Sequence, residues 1–188
     1  MRVALDGPGG QAGVVNPNPY ARFLPEPWRS IAESVGPAAT WWRWTPASRP
    51  DGPGPIDVHI ARHAAPEAPI RVLLLHGAGG HSGLVWPLAA ILASEGCEVL
   101  APDLPLYGMT RVESPGRVRY SDWVELLVDL VTAETVDDPR PLVLAGASMG
   151  GMLAYETAHR VPTVAAVVAT CLLDLAGDPE ALRSAVRT

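Results

Sequence analysis

The chain has 188 residues, of which 48% are apolar, and its formal net charge is −6. This length suffices for one domain with a sizeable core, and the acidic balance argues against nucleic acid or an anionic membrane as a partner. No apolar stretch approaches the ~20 residues of a membrane span, and the N-terminus lacks the apolar segment of a secretory signal. We therefore expect a cytoplasmic protein with Cys97 and Cys171 as free buried thiols, although the sequence alone leaves a disulfide open.

The N-terminal segment is predicted to be irregular. Residues 1–39 are rich in proline and glycine and show little periodicity, so we expect an arm that precedes the main domain. Two strands are then predicted, over residues 40–46 and 56–63, on either side of the turn-forming stretch SRPDGPGP.

From residue 71 onward, apolar strands alternate with amphipathic helices. Strands are predicted over residues 71–77, 98–103, 141–147 and 164–173. Helices are predicted over residues 86–96, 120–135 and 149–161, with boundary signals at Pro87, Gly96 and Ser121. A further helix is predicted to begin at Asp178. This alternation indicates an α/β fold, a mostly parallel sheet with helices on both faces, in a single core over residues 40–188.

Ser148 lies in the stretch AGASMGG, where a predicted strand becomes a predicted helix. Gly146 and Gly150 complete the pattern G-x-S-x-G, which is weak alone but at such a junction is typical of a nucleophile elbow. Gly150, Ala154 and Ala158 recur every four residues, so the helix should pack close to the sheet. We interpret Ser148 as the nucleophile of an acyl-transfer reaction; the alternative is a tight packing turn with an incidental serine.

The stretch HGAGGHSG follows the first predicted parallel strand and could supply the second half of a site. Acyl transfer needs backbone amides at the developing oxyanion, and we assign these to Ala78 and Met149. Gly77 and Gly79 would let the backbone approach the substrate closely. The competing interpretation is a phosphate-binding turn of a dinucleotide site, although Ser82 stands where the third glycine of that pattern is expected.

These stretches together resemble the α/β-hydrolase family. The resemblance rests on LLLHGAGGHSGLVWPLAAILASEGCEVLAPDLPLYG and LVLAGASMGGMLAYE, which stand in the order and at the spacing that this family shows. The elbow GASMGG is similar to those of monoacylglycerol-lipase-like and serine-aminopeptidase-like members. The resemblance covers roughly residues 40–175 and implies a serine nucleophile with neither cofactor nor metal. One departure is Leu106, where the family usually has glycine, so we expect a bulkier turn there.

The family order places the acid and then the histidine after the serine. Of the five histidines, only His159 follows Ser148, and eleven residues of helix place it roughly 16 Å away, beyond hydrogen-bond reach. His76 is expected to orient the oxyanion loop. His81 is expected to be a solvated loop residue, with a pocket-lining position as the alternative. His59 and His63 lie on a predicted strand and are expected at surface or packing positions.

The acid has one main candidate. Asp174 ends the last predicted strand, where some family members place the triad acid, although it could instead cap the following turn. Asp103 precedes the nucleophile and Glu156 lies on the nucleophile helix, so both are weaker candidates. The chain is accordingly expected to be the N-terminal part of the fold, ending after about six strands and without the catalytic histidine.

The resemblance therefore implies hydrolysis of a small-molecule carboxylic ester, amide or thioester, with this chain alone expected to be inactive. Two alternatives stay open: acyl transfer to a nucleophile other than water, and a non-catalytic fold remnant that serves as a binding or assembly module. The predicted strand over residues 164–173 is apolar, uncharged and expected at the sheet edge, so self-association through it is also predicted.

Overall fold

The computed structural model describes residues 18–47, 49 and 51–172. Its strands form one seven-stranded sheet in the order β1-β2-β4-β3-β6-β7, with β5 paired to β2. The strands are β1 (Ala38–Trp44), β2 (Ile56–His63), β3 (Arg71–Leu75), β4 (Glu98–Pro102), β5 (Arg111–Val112), β6 (Leu142–Ala147) and β7 (Ala166–Thr170). The α-helices in this part of the chain are α1 (Trp28–Ser34), α2 (Ser82–Ser94), α3 (Tyr120–Val136) and α4 (Met149–Arg160).

The sheet has an antiparallel side and a parallel side. β1 and β2 form an antiparallel pair, and β2 is also antiparallel to β4. β4, β3, β6 and β7 are mutually parallel, with β3 between β4 and β6. Every residue of β3 and β4 is buried, as expected for apolar strands that are covered on both faces. The predicted α/β architecture is therefore confirmed. The two-residue strand β5 was not predicted from the sequence.

Helices cover both faces of the sheet. Leu73 and Leu75 point into the larger core, which α3 and α4 close, whereas Leu74 points into a second core under α1 and α2. The first core is built from large aliphatic side chains and the second mainly from alanines around the buried Trp86. Alternation along β3 thus divides its side chains between the two layers.

The N-terminal segment is more regular than the sequence predicted. Residues 28–34 form α1, and Ala32 on this helix packs into the second core beside α2. Trp86 on α2 donates its indole N–H to the Val35 carbonyl at 2.7 Å. The predicted irregular arm over residues 1–39 therefore contains a docked helix, and the structure of residues 1–17 lies outside the described part.

The start of α2 also differs from the prediction. The helix begins at Ser82, and His81 caps it by accepting a hydrogen bond from the Gly83 amide on Nδ1 at 3.1 Å. Pro87 consequently lies inside the helix and cannot donate to the Gly83 carbonyl. The side-chain amide of Asn18 donates to that carbonyl instead, at 2.8 Å. A distant side chain thus satisfies the group that proline leaves free.

The end of α2 and the start of α3 can be compared with the boundary residues predicted from the sequence. Gly96 has φ +85° and follows the end of α2, as predicted. α3 begins at Tyr120 rather than after Ser121, because the carboxylate of Asp122 accepts a hydrogen bond from the Arg119 amide at 2.7 Å. The predicted N-cap at Ser121 is therefore wrong by two residues.

The amino edge of the parallel strands carries an ion-pair network, which we call the amino-edge clamp. It alternates three arginines with three acids: Arg62, Arg71, Arg140, Glu98, Glu134 and Asp138. The Arg71 side chain is 2% exposed and donates to both the carboxylate and the backbone carbonyl of Glu134. The clamp joins the starts of β3 and β4 to the last turn of α3.

β7 forms one edge of the sheet, parallel to β6, and its residues are exposed or half-buried. Cys97 is half-buried and Cys171, just after β7, is exposed, so the prediction of two buried thiols is wrong, whereas both are free. None of the helices in the described part of the chain is long and apolar enough to cross a bilayer.

Candidate active site

Ser148 joins β6 to α4 in a conformation that an L-residue rarely adopts. Its φ is 54° and its ψ is −125°, and it stands at the N-cap of α4 without a side-chain capping bond. Such a conformation costs of order 1–3 kcal/mol and persists only where the surroundings impose it. Here the Ser148 amide donates to the Thr170 carbonyl at 2.9 Å, and the Ser148 carbonyl accepts from Met152 at 3.0 Å. The hydroxyl is thereby held at the carboxyl edge of the sheet.

The two glycines beside Ser148 are sterically required. A Cβ on Gly146 would lie 2.5 Å from the carbonyl of Gly150, and a Cβ on Gly150 would lie 2.4 Å from the carbonyl oxygen of Leu75. Both contacts are with backbone, which cannot give way cheaply. Ala154, one turn along, is fully buried. The close approach of α4 to the sheet therefore has the steric cause that the sequence predicted.

The glycine loop after β3 lies beside this elbow. A Cβ on Gly77 would be 3.3 Å from the Ala147 carbonyl oxygen and 3.7 Å from Cβ of Ser148. The loop turns through Gly79 at φ +73°, and the Gly80 amide closes it on the Gly77 carbonyl at 3.0 Å. Ala78 stands exposed at the tip of this turn. The structure thus brings together the loop and the elbow, although 71 residues separate Gly77 from Ser148.

His76 is fixed beneath the glycine loop by both ring nitrogens. Nε2 accepts a hydrogen bond from the Leu104 amide at 3.0 Å, so Nδ1 carries the proton and donates to the Gly77 carbonyl at 2.9 Å. The ring also packs edge-on against Tyr107. Burial lowers the pKa of His76, against the opposing effects of the Gly77 hydrogen bond and the Asp103 charge. A neutral imidazole with a hydrogen bond at each ring nitrogen can orient the loop but has no free nitrogen for Ser148.

The other histidines lie away from the serine or are already bonded. β2 is three strand spacings from β6, about 14 Å across the sheet, so His59 on β2 cannot reach Ser148. His63 lies at the opposite edge, paired with Val99 near the start of β4. His81 is the N-cap of α2 and its Nε2 lies 3.2 Å from the Tyr20 hydroxyl, which replaces the predicted solvated loop position. His159 is exposed on the last turn of α4.

Of the three candidate acids, Asp103 and Glu156 are among the described residues. Asp174 lies outside the described residues. Glu156 accepts hydrogen bonds from Tyr120 and Arg160 on the outer side of α4, so it serves the helix surface. Asp103 is 1% exposed and its carboxylate accepts hydrogen bonds from His59, Ser82 and Met109. Burial would raise the pKa of Asp103, but these hydrogen bonds outweigh that effect and hold it well below the usual range.

The Asp103 cluster also bears on the dinucleotide alternative. A ribose-binding carboxylate must be open to ligand hydroxyls, whereas this one is enclosed by three protein donors. Gly108, at φ +55°, wraps so closely that a Cβ there would lie 2.1 Å from an Asp103 carboxylate oxygen. The pairing of Asp103 with His59 is the contact that sequence reasoning missed.

Leu106 adopts a left-handed backbone conformation, which glycine favours. Its φ is +78°, and its side chain is 51% exposed. The departure from the family pattern noted in the sequence therefore places an exposed apolar side chain on a residue with positive φ.

Comparison with known proteins identifies the family of the chain. Residues 72–188 match the family described as the alpha/beta hydrolase family. The chain belongs to this family. The human protein phosphatase methylesterase 1 is 32% identical over 180 residues, which cover 93% of this chain and 43% of that protein. A probable protein phosphatase methylesterase 1 from Caenorhabditis elegans is 32% identical over 114 residues, covering 58% of this chain and 30% of that protein.

Solved structures show the same fold. A probable hydrolytic enzyme from Pseudomonas aeruginosa matches with a TM-score of 0.60 and 22% identity, over 73% of this chain and 42% of that one. A thioesterase domain from the curacin biosynthetic pathway matches with a TM-score of 0.55 and 28% identity, over 72% of this chain and 47% of that one. The chain thus spans less than half the length of these relatives. Within the described residues, no three His, Cys, Asp or Glu side chains group as metal ligands would.

Proposed function

We propose that this protein is a hydrolase of carboxylic esters that uses Ser148 as its nucleophile. The observation that carries the proposal is the strained backbone of Ser148, at φ 54° and ψ −125°, directly beside the glycine loop. Backbone strain at a polar residue persists where the fold imposes it, and functional sites are where it collects. A packing turn would require the two glycines but would not require a serine between them.

The proposed reaction follows from the atoms around the elbow. The Ser148 oxygen attacks the ester carbonyl carbon, and the developing oxyanion accepts hydrogen bonds from the amides of Met149 and Ala78. The alcohol leaves with a proton, which gives an acyl-enzyme, and water then releases the acid and restores the serine. The N-terminus of α4 adds a favourable field for the oxyanion. His76, Gly77 and Gly79 shape the loop that presents the Ala78 amide, and His81 holds the adjoining start of α2.

The general base is the part of the machinery that these residues do not supply. His76 has both nitrogens occupied, and the other four histidines lie too far away or on other elements. We therefore propose that the histidine belongs to a longer form of the protein. Asp174 stays the proposed acid, outside the described residues. This assignment keeps the family order of serine, acid and histidine.

The relatives suggest which ester to test first. The curated relatives are named protein phosphatase methylesterases, so a methyl ester of a protein carboxyl group is the proposed substrate class. The compartment proposed for this activity is the cytoplasm.

The test compares the 188-residue chain with a protein extended to the next stop codon of its reading frame. The extended protein should hydrolyse p-nitrophenyl acetate and a peptide methyl ester, and Ser148→Ala should lower kcat by ~10³-fold or more. The 188-residue chain should show no measurable turnover, because a serine without a base is a poor nucleophile at neutral pH. Serine-dependent turnover by the short chain would mean that one of its histidines reaches Ser148, and His76 would be mutated first.

The oxyanion assignment has its own test in the extended protein. Valine at position 79 cannot readily adopt the observed φ of +73°, so Gly79→Val should displace the Ala78 amide. Losing one oxyanion donor lowers kcat by ~10²–10³-fold. Gly116→Val is the matched control, since an added Cβ there meets nothing within 4 Å and turnover should not change. An unchanged kcat in Gly79→Val would contradict the assignment.

A further inference from the structure

A cavity opens at the carboxyl edge of the sheet, on the face that α1 and α2 cover. Its volume is about 490 Å³, within the range of small-molecule sites. Ser148 and residues 77–80 do not line it, whereas His81, Ser82 and Gly83, which follow the glycine loop, do. Its apolar walls include Pro37, Ala61, Trp86 and Met109. The cavity therefore lies beside β2 and the start of α2, and Ser148 is not among the residues that line it.

One buried histidine faces this cavity with an unused nitrogen. The His59 side chain is 8% exposed, lines the cavity, and bonds through Nδ1 to Asp103 at 2.9 Å. Because the Asp103 carboxylate only accepts hydrogen bonds, Nδ1 carries the proton. Nε2 has no hydrogen-bond partner among the described residues, and it is not fully enclosed by protein atoms. The nitrogen that Asp103 leaves unbonded thus belongs to a residue that lines the cavity.

The Asp103 cluster holds this ring rigidly. Ser82 and Met109 amides donate to the Asp103 carboxylate at 2.6 and 2.8 Å, and Trp41 packs edge-on against the His59 ring. Burial and this network leave His59 little freedom to turn. The acceptor is preorganised, as binding sites require if they are to avoid the cost of ordering side chains.

The other polar side chains around the cavity are already satisfied. His81 is bonded through both nitrogens, to Gly83 and Tyr20. The Asn18 amide donates to Gly83 and its oxygen accepts from Tyr20. The Trp86 indole donates to a backbone carbonyl. Unlike these groups, His59 Nε2 is left without a hydrogen-bond partner in a largely apolar cavity.

We propose that this cavity binds a small, mostly apolar molecule that carries one hydroxyl group, with the hydroxyl hydrogen-bonded to His59 Nε2. A hydroxyl can donate a hydrogen bond to the unprotonated Nε2 of an imidazole whose Nδ1 carries the proton. The apolar walls would take the rest of the molecule. This site is separate from Ser148 and does not depend on the function proposed above.

The experiment uses ligand-observed fluorine NMR on the whole chain with two probes that differ by one group. 4-Fluorobenzyl alcohol should bind about five- to tenfold more tightly than 4-fluorotoluene, because only the alcohol pairs with Nε2. His59→Phe keeps a ring but removes the nitrogen, so both probes should then bind alike. Ala61→Leu should weaken both probes by filling the cavity, and circular dichroism checks that this variant folds, because Ala61 is buried in the second core.

Three results would overturn the proposal. The first is equal or absent binding of the two probes to the unmodified chain. The second is a preference for the alcohol that survives His59→Phe, with folding checked by circular dichroism. The third is loss of alcohol binding in Ser148→Ala, which would place the probe at the serine instead. If His59→Phe fails to fold, the probe pair and Ala61→Leu still decide the question.

Discussion

Arg71→Met tests whether the amino-edge clamp holds the sheet together. Arg71 is 2% exposed, and its Nε lies 3.4 Å from the Asp138 carboxylate without a hydrogen bond. Methionine has a similar apolar stem but no charge, so three carboxylates would face two arginines. Removing one partner of a buried ion pair costs 3–5 kcal/mol. Because Arg62 and Arg140 still contact the acids, we expect about 3 kcal/mol, a fall in Tm of roughly 6–12 °C.

The measurement is urea denaturation of the 188-residue chain, followed by tryptophan fluorescence. Arg43→Met is the matched control, because Arg43 pairs with Asp57 at the surface, where their side chains are 66% and 39% exposed. Exposed pairs contribute about 0–1 kcal/mol, so this variant should unfold near the midpoint of the unmodified chain. Equal losses in the two arginine variants would contradict the reasoning from burial.

A double variant separates the lost charge from the lost packing. Arg71→Met with Glu134→Gln leaves two arginines facing two carboxylates, so the clamp is neutral again. If the cost of Arg71→Met arises from the uncompensated charge, the double variant should regain more than about 1 kcal/mol. If the double variant is as unstable as the sum of the two single variants, electrostatic compensation is not what the clamp provides.

Three other outcomes are expected. Gly150→Ala forces a Cβ to within 2.4 Å of the Leu75 carbonyl oxygen, and overpacking against backbone should lower the free energy of unfolding by about 2 kcal/mol in urea titrations. The hydrogen bond from Arg140 lowers the pKa of Asp138 to about 2, so its stabilising contribution is complete above the unfolded pKa near 3.9 and is lost as pH falls toward 2. Urea midpoints should accordingly fall between pH 4 and pH 2. Because no strand among the described residues pairs with the outer side of β7, the chain should self-associate in sedimentation at tens of micromolar, and Val168→Lys, at an exposed edge position, should restore the monomer.

Each of these has a control in the same chain. Gly116→Ala adds a Cβ that meets nothing within 4 Å and should leave stability unchanged. Asp138→Asn should remove part of the loss below pH 4, and an unchanged acid profile would exclude Asp138 as its source. Val168→Thr keeps the shape without adding charge and should still self-associate. A monomeric unmodified chain would show that the β7 edge is protected.

The elbow could be predicted because its constraints are local. Gly146, Ser148 and Gly150 lie within five residues, so the pattern itself is local, although a Cβ on Gly150 would meet the backbone of the distant Leu75. Alternation of apolar strands with helices likewise fixed the order of elements, because every strand of the parallel part is buried or flanked by an amphipathic helix. Patterns of this kind need no knowledge of distant residues.

The parts that could not be predicted depend on distant contacts. α1 was hidden by a proline-rich composition, and its docking rests on Ala32 packing beside α2, more than fifty residues later. His81 was expected in solvent because its capping role requires Tyr20, 61 residues earlier, as well as Gly83. His59 and Asp103 are 44 residues apart, and only the antiparallel register of β2 with β4 brings them together.

The pairing of β3 with β6 determines when the site can form during folding. The β1–β2 hairpin closes across 12 residues between Trp44 and Ile56, whereas Leu75 meets Gly146 only after 71. Closing the longer loop costs about 1.6 kcal/mol more in chain entropy, and such distant parallel pairing is slow. A chain that has formed only its hairpin holds the glycine loop and the serine turn apart. The glycine loop and the serine turn should therefore come together only after the β1–β2 hairpin has formed.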